Sequence, residues 1–313
     1  MATPIYVIGS SNTDMVVKVE KLPLPGETVL GGVFFMNPGG KGANQAVAAA
    51  RLGAEVFFVV CIGNDLFGKQ AVEQFQRDEH INTSLITMDP DHPSGVALIV
   101  VDEKGENSIT VAPGSNRYLD INKVEQALRQ VTSPAIVLLQ MEIPEATIEY
   151  TIEISHAKGL QVILNPAPAR PLNSALLKKL DWITPNESEA EVLTGIGVTD
   201  HRSAAEAAKK LRDMGVPNVV ITLGAKGAYL LTDTIAKVIP APLVDAVVDT
   251  TAAGDCFNGA LAVALAENKS FEEAVAFACC AASISVTRLG AQASLPLRRE
   301  VDALFLTNQS LQV

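Results

Sequence analysis

Positive charge, aromatic side chains and cysteine are all scarce in this chain. Lysine and arginine number 24 against 35 aspartates and glutamates, a formal net charge of −11. Such a balance argues against non-specific binding to nucleic acid or to an anionic membrane. A small phosphorylated ligand is still permitted, because backbone amides can build a positive pocket on an acidic protein. The cysteines, Cys61, Cys256, Cys279 and Cys280, have neither metal-ligand spacing nor a disulfide framework. Adjacent Cys279 and Cys280 sit in an alanine-rich run and read as small core residues. This usage suits a reducing compartment and leads us to expect a cytoplasmic protein. From Met1-Ala2-Thr3-Pro4 the chain runs straight into an apolar strand, with no basic flank and no apolar run of bilayer length, so we expect neither signal peptide nor membrane span. His80, His92, His156 and His201 lie outside every polar cluster, which removes the basis for a histidine-centred triad. GxGxxG and GxxxxGK[ST] are absent, against a dinucleotide oxidoreductase or a P-loop protein.

What is present is core material. The chain has 313 residues and is 48% apolar, enough for one large α/β domain or two domains. We find no internal repeat, low-complexity segment or linker, and expect a single domain over 1–313. Ile5-Tyr-Val-Ile reads as a buried first strand. Asn12 and Asp14 follow it, one residue apart, so in an extended segment both face one side. Met15 to Glu20 and Thr28 to Met36 are β-like, and Gly95 to Val101 with Asn107 to Val111 form a hairpin around Asp102-Glu-Lys-Gly-Glu. A hairpin lacks the crossover helix of a parallel pair. We therefore expect 15–36 and 95–112 to form a small sheet beside the main one. From Ile121 helices and strands alternate regularly, the pattern of a doubly wound, mostly parallel sheet. Expected helices are Ile121 to Val131, Glu145 to Ala157, Ser174 to Leu180 and Ala204 to Met214. Expected strands are Ile136 to Gln140, Gln161 to Asn165, Trp182 to Pro185 and Val219 to Leu223.

Polar residues cluster at the ends of these elements. Pro38-Gly-Gly-Lys-Gly-Ala-Asn-Gln opens a helix; its glycines permit close backbone approach, and Lys41 and Asn44 can reach a ligand. Glu142, Asn165, Asn186 and Thr222 each follow a strand, on the edge where open α/β sheets bind ligands. Asn186 and Glu189 are three apart and share a helix face. Such a pair can hold hydrated Mg²⁺ beside phosphate oxygens. Central to all is Asp249-Thr-Thr-Ala-Ala-Gly-Asp-Cys-Phe. An expected strand, Val244 to Val248, enters it and a helix leaves it. Free amides, the helix dipole and Gly254 make an anion site there, and Asp255 places a carboxylate in it that can take a proton from a substrate hydroxyl.

Gly39-Gly-Lys-Gly-Ala-Asn-Gln together with Asp249-Thr-Thr-Ala-Ala-Gly-Asp resembles the two signatures of the ribokinase (PfkB) carbohydrate kinase family, and Asn186-Glu-Ser-Glu is similar to its Asn-x-x-Glu motif. Gly9-Ser-Ser-Asn-Thr-Asp, Asn165-Pro-Ala-Pro-Ala and Arg288-Leu-Gly-Ala-Gln-Ala-Ser resemble the ribose-phosphorylating members. The likeness covers nearly the whole chain. It implies a three-layer αβα fold with a mostly parallel central sheet and a small β-sheet lid, through which two copies would pair as a homodimer. It implies ATP-dependent phosphorylation of D-ribose at O5. Carried over by position, the sugar would meet Asn12, Asp14, Gly40, Lys41, Gly42, Asn44, Glu142 and Asp255. ATP would meet Asn186, the loop Thr222-Leu223-Gly224-Ala225-Lys226-Gly227, Gly254, Asp255 and Cys279. The anion hole would be Ala252, Ala253, Gly254 and Asp255, with Asp255 as catalytic base. Mg²⁺ would be held through water near Glu189, and K⁺ near Asp249, Thr251, Ser285, Arg288, Gly290 and Ser294, partly through backbone carbonyls. Two positions depart from the commonest pattern: Cys256, where Thr usually follows the base, and Cys279, where His or Asn often flanks adenine. Deoxyribose, a nucleoside or another sugar is the nearest alternative substrate. A sugar-binding regulator on an inactive kinase fold is the alternative of another class, and the intact Gly254 and Asp255 count against it.

Overall fold

The computed structural model describes residues 3–77 and 79–310; Met1 and Ala2, part of the N-terminal reading above, lie outside them. In chain order the strands are β1 (Ile5–Ile8), β2 (Asn12–Lys18), β3 (Val33–Gly39), β4 (Val56–Gly63), β5 (Ile86–Asp89), β6 (Gly95–Val101), β7 (Asn107–Ala112), β8 (Ile136–Leu139), β9 (Gln161–Leu164), β10 (Trp182–Ile183), β11 (Asn218–Thr222), β12 (Ala228–Leu231) and β13 (Ala236–Ile239). The helices are α1 (Lys41–Arg51), α2 (Leu66–Arg77), α3 (Ile121–Leu128), α4 (Glu145–Ala157), α5 (Ser174–Leu177), α6 (Glu187–Thr194), α7 (His201–Asp213), α8 (Ala253–Ala266), α9 (Phe271–Ser285) and α10 (Arg298–Ser310).

Nine strands form the main sheet in the order β13-β12-β11-β10-β9-β8-β1-β4-β5. It is parallel from β11 to β5, and β12 and β13 close one edge antiparallel. Side chains alternate along each strand, so one sheet feeds two cores. Val7, Phe58, Leu138 and Val220 pack with α1, α8 and α9. Ile8, Val59, Val137 and Ile221 pack with α4 and α7 on the other face. Burial on both faces explains why these strands are nearly continuous runs of Val, Ile and Leu. The expected three-layer αβα architecture is what the chain adopts.

On the first face the helices are built of Ala, Gly and Cys, which lets them approach closely. A Cβ on Gly259 of α8 would lie 2.6 Å from the Ala48 Cβ and 2.8 Å from the Gln45 carbonyl of α1. The missing side chain brings the axes of α1 and α8 together. Asn44 and Asp255, one on each helix, consequently meet.

The smaller sheet has the order β3-β2-β6-β7. β2 pairs antiparallel with β3 and parallel with β6, and β6–β7 is the expected hairpin. Within it β2 begins at Asn12 and β3 at Val33, bounds shifted from those expected.

Other expectations needed correction. Val244 to Val248 is not a strand. β13 ends the sheet before it, and its valines stay largely exposed, tied down by Val248 N–H donating to the Val286 carbonyl at 2.8 Å. The helix after it begins at Ala253, so Asp255 lies in its first turn rather than before it. α1 likewise begins at Lys41, which places Lys41, Gly42 and Asn44 on a helix. β5, β12 and β13, each four residues long, were not among the expected strands.

Candidate active site

The candidate site gathers residues at the carboxyl ends of the main sheet, on the starts of α1, α6 and α8, on β2 of the smaller sheet, and in the loops before α8 and after α9. β1 lies between β4 and β8. The chain runs outward to one side through β4 and β5, then crosses to build the other side from β8. That reversal opens a crevice at the ends of β1 and β8, where such sheets bind ligands.

Asp255 is at the bottom, 5% exposed. Its Oδ2 accepts from Asn44 Nδ2 at 2.9 Å and its Oδ1 from Gln45 Nε2 at 3.0 Å. Burial pushes its pKa up, opposed by the Lys41 charge and by the two amide donors. Gln45 is held in turn. Its Nε2 also meets Asn165 Oδ1 at 3.1 Å, and its Oε1 accepts from Gln140 Nε2 at 2.7 Å. Gln45 and Gln140 were not singled out from the sequence. Gln45 is the last residue of the glycine-rich motif, and its position one after Asn44 was the available signal.

Helix α8 opens abnormally. Its cap, Ala252, has φ 61 and ψ 11, a left-handed conformation that costs a non-glycine residue about 1–2 kcal/mol. In return, successive amides turn toward one point, the arrangement that binds anions. The Ala253 amide donates to the Thr250 carbonyl at 3.2 Å, whereas those of Gly254 and Asp255 find no acceptor among the described residues. A Cβ on Gly254 would meet nothing within 4 Å, so the glycine faces open space. The opening is a cleft of about 200 Å³ walled by Lys41, Asn165, Thr184, Asn186, Glu189, Thr222 and the 252–255 turn.

Lys41 is the cation of this cleft. Its ammonium is held charged first by Asp255, then by Glu142 and Glu189, against the effect of burial. Glu142 is fixed at the other end. Its Oε2 accepts from Ser10 Oγ at 2.5 Å and from the Lys41 amide at 2.9 Å. Asp14 stands over Gly39, where a Cβ would lie 2.3 Å from its Oδ2. Burial, with the charges of Glu142 and Asp255, pushes the Asp14 pKa up to about 6. Gly40 has φ 89, and its Cβ would lie 2.7 Å from the Asn12 amide nitrogen; one on Gly42 would lie 2.4 Å from that of Ser10. These two glycines are what let β1, β2 and α1 converge.

Asn186 and Glu189 form a reciprocal cap of α6: Asn186 Oδ1 accepts from the Glu189 amide at 2.8 Å, and Glu189 Oε2 from the Asn186 amide at 2.9 Å. The cap explains their spacing locally. It leaves Glu189 Oε1 without a donor among the described residues, in the cleft wall, which fits a hydrated Mg²⁺. Thr222 lies beside Asn186, bridged to it across the sheet ends. The Leu223 side chain is buried in the core. Its N–H donates to the Gly227 carbonyl at 2.8 Å, and Gly227 has φ 98 where a Cβ would lie 2.1 Å from the Ile239 carbonyl oxygen. Gly224, Ala225 and Lys226 are the exposed turn between them. Cys279 is buried in α9, its thiol pushed up to about 12 by burial, so what it offers is shape rather than reactivity.

The segments read as a cation loop do meet. Asp249 Oδ1 accepts from the Thr251 amide at 2.9 Å and hydroxyl at 2.6 Å, and Oδ2 from the Gly290 amide at 2.9 Å. Burial alone would raise the Asp249 pKa, yet these donors hold it below the ordinary value. The Ser285 and Ser294 hydroxyls are buried and donate to the Ala282 and Ala291 carbonyls. Arg288 is ion-paired with Glu300, so only its carbonyl is free for a cation. Among the described residues no three His, Cys, Asp or Glu cluster as a metal site. The donors on offer are hydroxyl, carbonyl and single-carboxylate oxygens, which suit hard cations.

A buried carboxylate in the same helix-start turn as free amides, on the wall of an open cleft, suits a phosphotransferase. The model of the pfkB family of carbohydrate kinases matches residues 2–298. The chain belongs to this family. It is an ATP-dependent sugar kinase. It is 46% identical to the ribokinase of Haemophilus influenzae, over 96% of this chain and 97% of that one. It is 37% identical to the deoxyribokinase of Salmonella typhi, over 97% and 99% of the two chains. Among solved structures it superposes on Arabidopsis thaliana ribokinase complexed with ribose and ATP with a TM-score of 0.88, at 34% identity, covering 97% of this chain and 99% of that one.

Proposed function

We propose that this kinase transfers the γ-phosphoryl group of ATP to O5 of D-ribose, giving D-ribose 5-phosphate. The observation that carries the reading is Asp255, buried, aimed by Asn44 and Gln45, and placed in the same turn as the free amides of Gly254 and Asp255. Asp255 takes the proton of the sugar hydroxyl. The amides at the start of α8 and the Lys41 ammonium receive the charge that develops on the transferred group. Asn12, Asp14, Gly40, Gly42, Asn44 and Glu142 form the sugar end. Asn186, Glu189 and the loop after Thr222 form the nucleotide end, with Mg²⁺ neutralising phosphate charge through water near Glu189. The smaller sheet, with 15–36 and 95–112 as its segments, acts as the lid that keeps water from competing as acceptor.

A coupled assay with ATP and a panel of pentoses and nucleosides tests the substrate. The nearest competing reading is deoxyribose, the substrate named for a relative 37% identical to this chain. A site built to bond a hydroxyl rejects an analogue without it, since its own polar groups are left unpaired. We expect kcat/KM for D-ribose to exceed that for 2-deoxy-D-ribose by at least about tenfold, and Asn12→Met to narrow the gap by lowering activity on ribose. A preference of the unmodified kinase for deoxyribose or a nucleoside would refute the assignment while leaving the kinase chemistry standing.

K⁺ is assigned to the Asp249 and Arg288–Ser294 segments. Its work would be to stiffen the loop behind the anion hole rather than to touch substrate. Exchanging Na⁺ for K⁺ at constant ionic strength should raise kcat, and Asp249→Ala should abolish the response. Equal rates in both salts would sink the cation site.

A homodimer through the lid is supported by apolar side chains exposed on both faces of the smaller sheet. Phe34, Met36 and Leu98 lie on one face and Val33, Ile109 and Val111 on the other, each about half exposed or more, apolar area of the kind that marks association sites. Sedimentation equilibrium measures this directly; a monomer at every concentration would exclude it. A soluble, cytoplasmic kinase is the accompanying reading. It is supported by the four free, buried cysteines, and no helix among the described residues is long and apolar enough to cross a membrane.

A further inference from the structure

Asn116 lies outside the residues assigned so far, in the 3-10 turn Gly114–Tyr118, and is 2% exposed. Its Oδ1 accepts from the Ser11 amide at 2.9 Å. Its Nδ2 donates to the Ser11 carbonyl at 3.1 Å and to Asn12 Oδ1 at 2.8 Å. The ends of an asparagine amide are usually assigned by their surroundings. Here the surroundings leave no choice, because a backbone N–H only donates and a carbonyl only accepts. Ser11 therefore fixes which end of Asn116 is nitrogen. That nitrogen in turn fixes Asn12, whose oxygen must face it.

We propose that Asn116 is a positioning residue for sugar selectivity: it locks the Asn12 amide with its oxygen inward, so that the sugar meets the N–H₂ end. The proposal rests on the reading of Asn12 as a sugar ligand. Asn12 then donates to a hydroxyl oxygen, and the acidic Asp14, two residues on along the same strand, is the acceptor for hydroxyl hydrogens. A donor beside an acceptor matches hydroxyls that do both, and a missing hydroxyl leaves both groups unpaired. The surroundings hold this pairing in place. A Cβ on Gly95 would lie 2.1 Å from Asn12 Oδ1 and 2.4 Å from Asn116 Nδ2, so the space between β6 and β2 is kept for these two amides. The turn itself is anchored: Ser115 donates its hydroxyl to the Pro93 carbonyl at 2.7 Å and its amide to the same oxygen at 2.8 Å.

Asn116→Asp tests this, because it keeps the acceptor for the Ser11 amide and replaces only the donor. A carboxylate oxygen facing Asn12 Oδ1 repels it and favours the flipped amide. We expect kcat/KM for D-ribose to fall by about tenfold, mostly through KM, with that for 2-deoxy-D-ribose changing by less than about threefold. The ratio between the sugars should approach one. Asn116→Ala removes the donor without adding charge and should move the ratio the same way. It keeps the proposal testable if a carboxylate buried at this position prevents folding. In an Asn12→Ala background the Asn116→Ala change should leave the ratio where Asn12→Ala put it. Equal losses on both sugars, an unchanged ratio in the alanine variant, or additive effects of the two alanine substitutions would overturn the proposal. Absence of ribose phosphorylation by the unmodified kinase would instead overturn the functional reading, and is seen before any variant is made.

Discussion

Asp255→Asn is expected to lower kcat by about two to four orders of magnitude, the range for loss of a general base, with ribose affinity little changed. The substitution keeps the size of the side chain and one acceptor oxygen. It removes the group that takes the hydroxyl proton and presents an N–H₂ to one of its former donors, Asn44 or Gln45. Turnover measured with saturating ribose and ATP, beside ribose binding by calorimetry, separates the two effects. A variant retaining near-normal kcat would sink the assignment of the base.

Asp14 carries the second large expectation. Its pKa, pushed up to about 6 by burial and by the charges of Glu142 and Asp255, means that the ionised form needed to accept sugar hydroxyls is lost as pH falls through about 6. The kcat/KM profile for ribose, which reports the free enzyme, should therefore have an acid limb there. Stability moves the other way. The folded state holds the Asp14 proton more tightly than the unfolded chain, so the ionised side chain opposes folding above about 6. This opposition is relieved as pH falls from about 6 toward the ordinary carboxylate value, a window worth up to about 3 kcal/mol. Asp14→Asn should then cost about a hundredfold in kcat/KM for ribose, flatten the acid limb, and raise the melting temperature at pH 7.5. Ordinary ribose turnover in this variant, with the limb unmoved from about 6, would refute its role.

Much of the site was legible because its chemistry is local in sequence. Gly39 to Asn44 and Asp249 to Asp255 announce themselves as glycine-bearing turns beside helices, and the polar residues after successive strands fall on one edge as parallel topology requires. Partners that act through space were not legible. Gln45, Gln140 and Asn116 touch Asp255, Gln45 and Asn12 across 210, 95 and 104 residues of chain, and no spacing rule reaches that far. Val244 to Val248 was misread for a related reason. Its composition favours a strand, but a strand needs a neighbour, and the sheet ends before it. The reverse holds for Asn186 and Glu189, whose spacing is already accounted for by capping α6.

The close seat of Gly259 on α1 has a mechanical consequence. With no side chain between them, the helix bearing Asn44 and the helix bearing Asp255 form one stiff block, so these two side chains cannot slide apart. Compliance is left to the places where the chain passes between the two sheets: Gly9 to Ser11, Gly39 to Gly40, Pro93 to Ser94 and Pro113 to Gly114. Any breathing of the crevice is then a hinge of its roof over a fixed floor. Asn44 and Asp255 keep their mutual distance in such a swing, whereas Asn12 and Asp14, on β2, move with the roof.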